Sequence, residues 1–453
     1  MKPGTLTIFF SLTLLTSCST LNDPQAGRVD DLSLPEDWAV PAQTLDLSGL
    51  PEDAGLLDLF RQPQLKQLID ETLNNNLDLQ QTALRLRQQQ LLIAPERAAR
   101  QPELTGLLTS QRSKEQEIST RHTLALNLNW ELDVWGRLAD GQAAAQQTAA
   151  AQKLDYDAAR NSLAARTVQS WLDISLRQQI IETEQQWLKS SENNRAVILD
   201  RYQSGLGNLA DLATAKAATA RVQASLIERQ NQQRVALRQL NLLRGVSNNS
   251  EPPEITVTPD ITTPPISLPG TVLARRPDLQ AAYLRIQAAD HSAAKAYKQL
   301  LPGFSLQATL SDTGQDLDQL LKGSSLWSLL GQLTAPLFNS ERLKAQADIA
   351  QLDAELSYLK YQQTLLDAVN EVDNGLDLEA TLAQQEKALA QALQHSQTSL
   401  DHYRSLYRDG VGDILNLISA EQTAFEARIQ LLQVRQNRLF NRITLGLALG
   451  MSI

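Results

Sequence analysis

The sequence predicts a mainly α-helical fold in which one unit, made of a helix, a β-hairpin and a long α-hairpin, occurs twice. The segment LDLQ at residues 77–80 returns as PDLQ at residues 277–280, and the segment GLG at residues 205–207 returns as GVG at residues 410–412. Ala, Gln and Leu dominate the 453 residues and only 5% are aromatic, which favours long helices over several compact cores. Two copies of one large unit indicate a pseudo-symmetric assembly rather than a single catalytic pocket.

The repeat divides the chain into five segments. The second copy is displaced by 200 residues near Asp78 and by 205 residues from Arg137 to Gly245, so the helices in that interval have equal lengths in both copies. The expected segments are a signal peptide at 1–17, an N-terminal strap at 18–60, the first repeat at 61–245, a proline-rich linker at 246–270 and the second repeat at 271–453.

The N-terminal leader has the form of a bacterial lipoprotein signal. Lys2 precedes an apolar run at residues 6–15 that is too short to span a bilayer, and Leu-Thr-Ser then leads into Cys18. Because Cys18 is the only cysteine, we expect it to carry a diacylglycerol and an N-acyl chain rather than a disulfide. Ser19 follows it instead of an aspartate, which is compatible with the outer membrane. The alternative is a buried cysteine behind an ordinary signal peptide.

Two proline-rich segments flank the first repeat. We interpret the strap as an extended segment, and the linker as the connection between the copies. A flexible linker between independent domains is the alternative for the second segment. The prolines concerned are Pro24, Pro35, Pro41 and Pro51 in the strap, and Pro252, Pro253, Pro259, Pro264, Pro265 and Pro269 in the linker.

Each copy first predicts a helix. Helical spacing of apolar residues runs through residues 83–100 in the first copy and 281–300 in the second. Both stretches end before a proline, Pro102 or Pro302, where a helix is expected to stop.

A β-hairpin is expected after each of these helices. Apolar and polar residues alternate at 123–130 and at 304–311, and we expect 105–113 and 325–338 to be their partner strands. Four strands close no barrel by themselves. The alternation fits a membrane barrel completed by strands of other chains, and it fits a half-buried soluble sheet equally well.

Unusually long helices follow both hairpins. Residues 137–204 and 342–409 contain no proline and few glycines, and a run of about 65 helical residues reaches roughly 100 Å. Glycine permits positive φ, so we expect the chain to turn back after each long helix. These tip turns contain Gly205 and Gly207 in the first copy, and Gly410 and Gly412 in the second.

The second return helix predicts coiled-coil packing. Its apolar residues recur at heptad spacing, whereas the first return helix is diluted by alanines and favours close packing of small residues. The predicted seam is Val411, Ile418, Phe425, Leu432 and Leu439, with Leu415, Ile429 and Ile443 beside it.

Two segments resemble a known family. The sequence WELDVWGR at residues 130–137 and the sequence ARRPDL at residues 274–279 closely resemble signature segments of TolC-like outer-membrane efflux proteins, in the lipoprotein (NodT-like) branch. The likeness covers essentially the whole mature chain, including the duplication, the glycine turns and the lipoprotein leader.

This resemblance implies a fold, a function and partners. It implies a homotrimer in which each chain gives four strands to one twelve-stranded β-barrel in the outer membrane, continued by a periplasmic coiled-coil α-barrel. It also implies a passive exit channel for small molecules in a tripartite efflux system. An inner-membrane pump of the resistance-nodulation-division type would deliver the cargo through a periplasmic adaptor.

The resemblance further implies a gate at the periplasmic tip, where helices bend inward. Tyr407 matches the tyrosine of the family's latch, and Asp211 matches its acidic partner. Gly412 stands where the best-known member has an arginine of that latch.

The narrowest ring also departs from that member. Asn416 and Ser419 stand in place of two aspartates, so we expect a weaker preference for cations there. Leu415 matches a leucine ring of related lipoprotein members and could close the duct by dewetting. Asp409 and Asp413 either restore negative charge at the mouth or are solvated helix-end residues, Asp413 then being an N-cap.

The residues give no indication of catalysis or of a cofactor. The four histidines are dispersed and lack the spacing of a zinc site, and neither a phosphate-binding loop nor a nucleophile elbow is present. Acidic residues such as Glu184 and Glu371 lie on charge-rich helical stretches, so we interpret them as solvated. A net charge of −10 and a pI near 5.1 argue against binding to nucleic acid. The histidines are His122, His291, His395 and His402.

Two other functions share parts of this pattern. A periplasmic adaptor would also be a lipoprotein with a long α-hairpin, but it should carry one hairpin beside glycine-rich β domains. An outer-membrane channel of an ATP-driven (type I) protein secretion system has the same fold. It is the alternative to small-molecule efflux.

Overall fold

The computed structural model describes most of both repeats. The signal peptide, Cys18, and most of the strap and linker lie outside the described residues. Those described are residues 37–39, 54–59, 63–114, 117–247, 262–267, 269–320, 325–338 and 340–453.

The first repeat opens with two short helices and a hairpin. Helix α1 (Pro63–Asn75) and helix α2 (Leu77–Ala98) precede strands β1 (Glu103–Lys114) and β2 (Ile118–Leu132). The two helices separate at Asn76, whose backbone is extended. Its side chain accepts a hydrogen bond from the backbone amide of Leu79, as an N-cap does.

A long α-hairpin completes the first repeat. Helix α3 (Arg137–Gln203) has 67 residues and therefore extends about 100 Å, and helix α4 (Leu209–Leu243) returns beside it. The turn between them contains Gly205, whose φ of 76° is in the left-handed region. The prediction for residues 137–204 is confirmed within one residue.

The second repeat has the same order of elements. Helix α5 (Pro269–Arg275) and helix α6 (Pro277–Lys298) precede strands β3 (Gly303–Gly314) and β4 (Leu326–Thr334). The prediction for β4 was too long at its C-terminal end. Pro336 has no amide to donate to a sheet, which is consistent with the strand ending two residues earlier.

The second long α-hairpin matches the first in length. Helix α7 (Ser340–Arg408) has 69 residues and helix α8 (Ile414–Ala448) has 35, the same number as α4. Within the described part of the chain, the helices do not combine the length and apolar character that crossing a membrane requires.

The four strands form one antiparallel sheet in the order β1-β2-β3-β4, so the two hairpins are joined by the pairing of β2 with β3. Residues that oppose each other across the sheet share a face. One face is mainly apolar and the other mainly polar. A row of the apolar face contains Leu104, Leu128, Ala308 and Leu329, and the adjacent polar row contains Thr105, Asn127, Thr309 and Ser328.

The outer strands leave both edges of this sheet open. Among the described residues, strand β1 pairs only with β2 and strand β4 only with β3, and both strands are exposed along their whole length. Large apolar side chains on β4 stand in solvent, with Trp327 78% exposed and Leu329 62% exposed. A single chain therefore leaves these strands without a covering surface.

The largest buried cluster lies away from the sheet, where α1, α3, α4 and α8 meet. Trp171 and Leu172 of α3 pack there with Ile69 of α1, Leu240 of α4 and Ile443 of α8, all at most 1% exposed. Because both copies contribute to this cluster, they form one body rather than two independent domains.

One described piece of the strap is anchored on the second repeat. The side chain of Trp38 is buried against Val372, Leu376 and Leu445, and its indole Nε1 donates to the carbonyl of Ser267 at 2.8 Å. The strap is therefore held at residue 38 by both packing and a hydrogen bond.

The coiled-coil prediction for α8 had the right spacing, but the most deeply buried seam is shifted by one position. This buried seam is rich in alanine, which lets helices approach closely. Leu431 and Val434 pack there on Leu382 of α7, while the members nearer the tip share a cluster with residues of both α7 and α3. The buried members of the seam include Leu417, Ala420, Ala424, Ala427, Leu431 and Val434.

In the predicted seam, Phe425 and Leu432 face α3 and are half-buried, whereas Ile429 and Ile443 beside them are buried. The ring of Phe425 stacks on Trp187 of α3 with 5.6 Å between centroids, and Leu432 packs on Leu176 and Ile180. Val411 precedes the helix and is 77% exposed. Helix α8 therefore packs against both α7 and α3.

Candidate functional site

The signature segment at residues 130–137 forms the joint between sheet and long helix. The indole Nε1 of Trp130 donates to the carbonyl of Arg100 at 3.2 Å, and that of Trp135 donates to the carbonyl of Pro302 at 2.8 Å. The two tryptophans therefore connect the end of β2 to the segments that follow helices α2 and α6. The guanidinium of Arg137 closes the segment on Glu131 at 2.6 Å.

Within this joint, Asp133 caps α3. Its two carboxylate oxygens accept from the amides of Leu138 and Ala139 at 2.9 and 2.8 Å. Gly136 has a φ of 72° and supplies the left-handed residue that the reversal needs. A carboxylate at a helix N-terminus also compensates the helix dipole, so the joint is firmly fixed.

The second signature segment closes the end of α8. Arg276 is buried and binds Asp278 and Glu371 at 2.8 Å each, while its Nη1 donates to the carbonyl of Ala448 at 3.1 Å. Burial raises the pKa of Asp278, but hydrogen bonding to Arg276 and its charge outweigh burial and hold that pKa below its usual value. Both signature segments therefore hold helix ends in place.

The two tip turns have equivalent geometry. Gly410 has a φ of 80°, close to the 76° of Gly205. A Cβ placed on Gly412 would lie 2.7 Å from the amide nitrogen of Tyr407, and one on Gly207 would lie 3.1 Å from that of Tyr202. Each turn therefore folds tightly back on the tyrosine that precedes it.

The structure places Tyr407 and Asp211 near the tip but joins them by no hydrogen bond within the described residues. The ring of Tyr407 lies under the guanidinium of Arg201, with 5.4 Å from its central carbon to the ring centroid. The carboxylate of Asp211 accepts from the Asn208 side chain at 2.9 Å. Their role as a latch stays a prediction.

The predicted ring residues are accessible on α8. Leu415 is 45% exposed, and Asn416 and Ser419 are exposed within one turn of it, so the three share a face. Asp413 accepts from the amide of Leu415 at 2.9 Å and is the N-cap of α8, as the helix-end interpretation predicts. Asp409 is exposed after the end of α7.

Sequence reasoning missed the buried carboxylates of the coiled coils. Glu184 is only 1% exposed and accepts from Ser225 and Arg229 of α4, so its interpretation as a solvated residue was wrong. Glu379 of α7 and Glu421 of α8 are each 2% exposed or less. Each of these acids occupies a position in the buried seam of its coiled coil. The heptad spacing was the signal in the sequence that could have indicated their burial.

Glu371, which was also predicted to be solvated, is exposed on α7. Glu371 keeps much of its surface in solvent, yet its carboxylate binds the buried Arg276. In the part of the chain that the structure describes, the acidic and histidine side chains form no group suited to a metal ion.

Comparison with known proteins agrees with this geometry. Residues 68–246 and 268–451 match the family described as outer membrane efflux protein. The cation efflux system protein CusC of Escherichia coli is 28% identical over 459 residues, which cover 99% of both chains. The toluene efflux pump outer membrane protein TtgF of Pseudomonas putida is 29% identical over 408 residues, covering 86% of this chain and 84% of TtgF.

A solved structure of CusC has the same fold. It superposes with a TM-score of 0.83 at 26% identity and covers 92% of this chain and 100% of that chain. With its two family matches spanning both repeats, the chain belongs to the outer membrane efflux protein family.

Proposed function

We propose that three copies of this chain form the exit duct of a tripartite efflux system in the outer membrane. The observation that carries the proposal is the four-stranded sheet with one apolar face and two open edges. Backbone groups cannot stay unpaired in lipid, so such a sheet must be closed by neighbouring strands. Pairing β4 of one copy with β1 of the next gives a closed barrel whose apolar face meets the lipid.

The long helices supply the rest of the duct. They run in one direction from the joint below the sheet, and at about 100 Å they are far longer than a single compact core needs. Three α-hairpin pairs side by side enclose a passage continuous with the barrel. Its far end, at the glycine turns, is where a periplasmic adaptor and an inner-membrane pump of the resistance-nodulation-division type would deliver cargo.

The chain itself acts passively in this proposal. It contributes a path and a gate, while the pump supplies energy and chooses the cargo. An apolar collar of Leu415, flanked by the exposed Asn416 and Ser419, closes the tip by excluding water. Tyr407 and Asp211 help to hold the tip helices inward. Lipid on Cys18 anchors the strap to the membrane surface.

A strain lacking the gene tests the choice between efflux and protein secretion. We expect the deletion to raise susceptibility to small toxic molecules and to leave polypeptide secretion unchanged. The intact gene, supplied in trans, should restore the original susceptibility. Loss of a secreted protein at unchanged susceptibility would instead support a type I secretion channel.

A further inference from the structure

Helix α3 belongs to a first coiled coil, formed with α4, and contacts a second coiled coil, formed by α7 and α8. Polar contacts between α3 and α8 occur at intervals along α3 towards the tip. In order they are Gln169 with Thr444 at 3.2 Å, Asp173 with Gln436 at 3.0 Å, Gln186 with Arg428 at 3.4 Å, and Ser190 and Asn194 with Glu421.

The last of these contacts is built around a buried carboxylate. Glu421 of α8 is 2% exposed. Ser190 of α3 donates to its Oε1, and the side-chain nitrogen of Asn194 donates to its Oε2 at 3.0 Å. Arg404 of α7 lies 3.4 Å from Oε1. One side chain thus joins three helices and both coiled coils.

The charge of Glu421 is poorly compensated. Its α3 partners are neutral, and Arg404 is 40% exposed and also lies 3.7 Å from Asp401. Arg428, further along α8, contacts Gln186 instead. Burial therefore raises the pKa of Glu421 and prevails over the hydrogen bonds of Ser190 and Asn194 and the charge of Arg404.

The other two buried acids hold helices within one coil. Glu184 of α3 binds Arg229 of α4 at 3.1 Å, and Glu379 of α7 binds Arg438 of α8 at 2.9 Å. Separating the two coils leaves both of those pairs intact. When α8 moves away from α3, only Glu421 among these three acids loses hydrogen bonds, those from Ser190 and Asn194, while Arg404 stays beside it in the same coil.

Glu421 also lies directly behind the proposed gate. It follows Ser419 by two residues on α8, and Arg404 precedes Tyr407 by three residues on α7. We propose that Glu421 is a positioning residue for the gate, fixing α8 to α3 in the closed duct and binding a proton on closure. This inference rests on the proposed function.

The direction of the pH effect follows from linkage. When the coils separate, water reaches Glu421 and its pKa falls towards the ordinary carboxyl value. The closed duct therefore binds the proton more tightly than the open duct, so acid favours closure and a rising pH favours opening. Within the window between the two pKa values, each Glu421 that releases its proton raises the open-to-closed ratio by up to about tenfold for each pH unit.

Single-channel recording of the purified full-length protein in planar bilayers, between about pH 5 and pH 8, tests this linkage. The open fraction of the wild type should rise with pH. Glu421→Gln keeps the size of the side chain and, like the protonated acid, is neutral with one acceptor oxygen and one donor group. Its open fraction should therefore be low at every pH. Asn194→Asp places a second acid beside Oε2, which should move the transition of the wild type to higher pH.

Glu426→Gln is the matched control. Glu426 is exposed on the same helix and accepts from Gln422 at 2.8 Å, so its variant should keep the wild-type pH dependence. A Glu421→Gln channel that titrates like the wild type would overturn the inference, as would a wild type that opens in acid. A protein that never conducts at any pH would instead refute the proposed duct, and the inference would fall with it.

Discussion

The indole Nε1 of Trp135, which follows β2 of the first hairpin, donates at 2.8 Å to the carbonyl of Pro302, which precedes β3 of the second. This single bond crosses between the two repeats at the level where the sheet gives way to helices. Together with the pairing of β2 and β3, it makes the two copies one rigid platform for the long α-hairpins.

Trp135→Phe tests the strength of that connection. The substitution keeps an aromatic ring but removes the donor, so we expect a loss of about 1 kcal/mol in stability, typical of one hydrogen bond. Thermal unfolding of the purified protein measures the change. Trp327→Phe is the control, since the indole of the exposed Trp327 makes no hydrogen bond within the described residues. An equal loss in both variants would contradict the role assigned to Trp135.

Removing the cap of α3 should lower the stability of the protein more than Trp135→Phe does. Asp133→Ala leaves the amides of Leu138 and Ala139 without their acceptors and should destabilise the protein by about 1–2 kcal/mol. Asp133→Asn retains one acceptor and should lose less. Denaturant unfolding of the wild type, Asp133→Asn and Asp133→Ala gives the order of their stabilities. An Asn variant as unstable as the Ala variant would argue against capping.

The tip turns should respond unequally to alanine. A methyl group on Gly412 would lie 2.7 Å from the amide nitrogen of Tyr407, whereas one on Gly205 meets nothing within 4 Å. Gly205→Ala therefore adds only the strain of a positive φ, about 1–2 kcal/mol, but Gly412→Ala must also displace the Tyr407 backbone. We expect altered single-channel conductance in Gly412→Ala alone. Equal conductance in both variants would place the gate elsewhere.

Leu415 should control the closed state if its collar excludes water. Leu415→Ser should raise the residual conductance of the closed duct, because a hydroxyl wets a constriction that an isobutyl group keeps dry. Tyr407→Phe keeps the aromatic ring beneath the Arg201 guanidinium and loses only the hydroxyl. Comparing its conductance with that of Leu415→Ser distinguishes a latch at Tyr407 from a collar at Leu415. Unchanged conductance in Leu415→Ser would exclude the collar.

Anchoring through Cys18 has a direct chemical test. Cys18→Ser removes the only thiol of the chain, so incorporation of radiolabelled palmitate should be abolished. The wild type expressed in parallel is the positive control. Label retained by the variant would place the acyl chain on another residue.

The order and lengths of the elements could be predicted because local signals specify them. Helices α2 and α6 end four residues before Pro102 and Pro302, alternation at residues 123–130 specifies a strand, and the glycine turns fix where α3 and α7 reverse. These features depend on neighbours in the sequence. The pairing of β2 with β3 needs contact between the two repeats, and the structure was required to establish it.

The buried acids show where such reasoning stops. Glu184 was interpreted as solvated because charges surround it in the sequence, yet it lies inside the seam with Arg229, 45 residues away. The α8 seam was shifted because large apolar residues suggested Phe425, whereas the closest packing uses Ala424. The burial of an acid such as Glu184 and of a small residue such as Ala424 depends on which helix lies opposite. Only the packed structure specifies that helix.

The central claim is that copies of this chain close into a conducting duct. Determining the mass of the purified protein in detergent together with its single-channel conductance in a planar bilayer tests it most directly. We predict a trimer with a small conductance, because the tip is partly closed. A monomer without conductance would contradict the closed barrel and return the chain to the adaptor alternative.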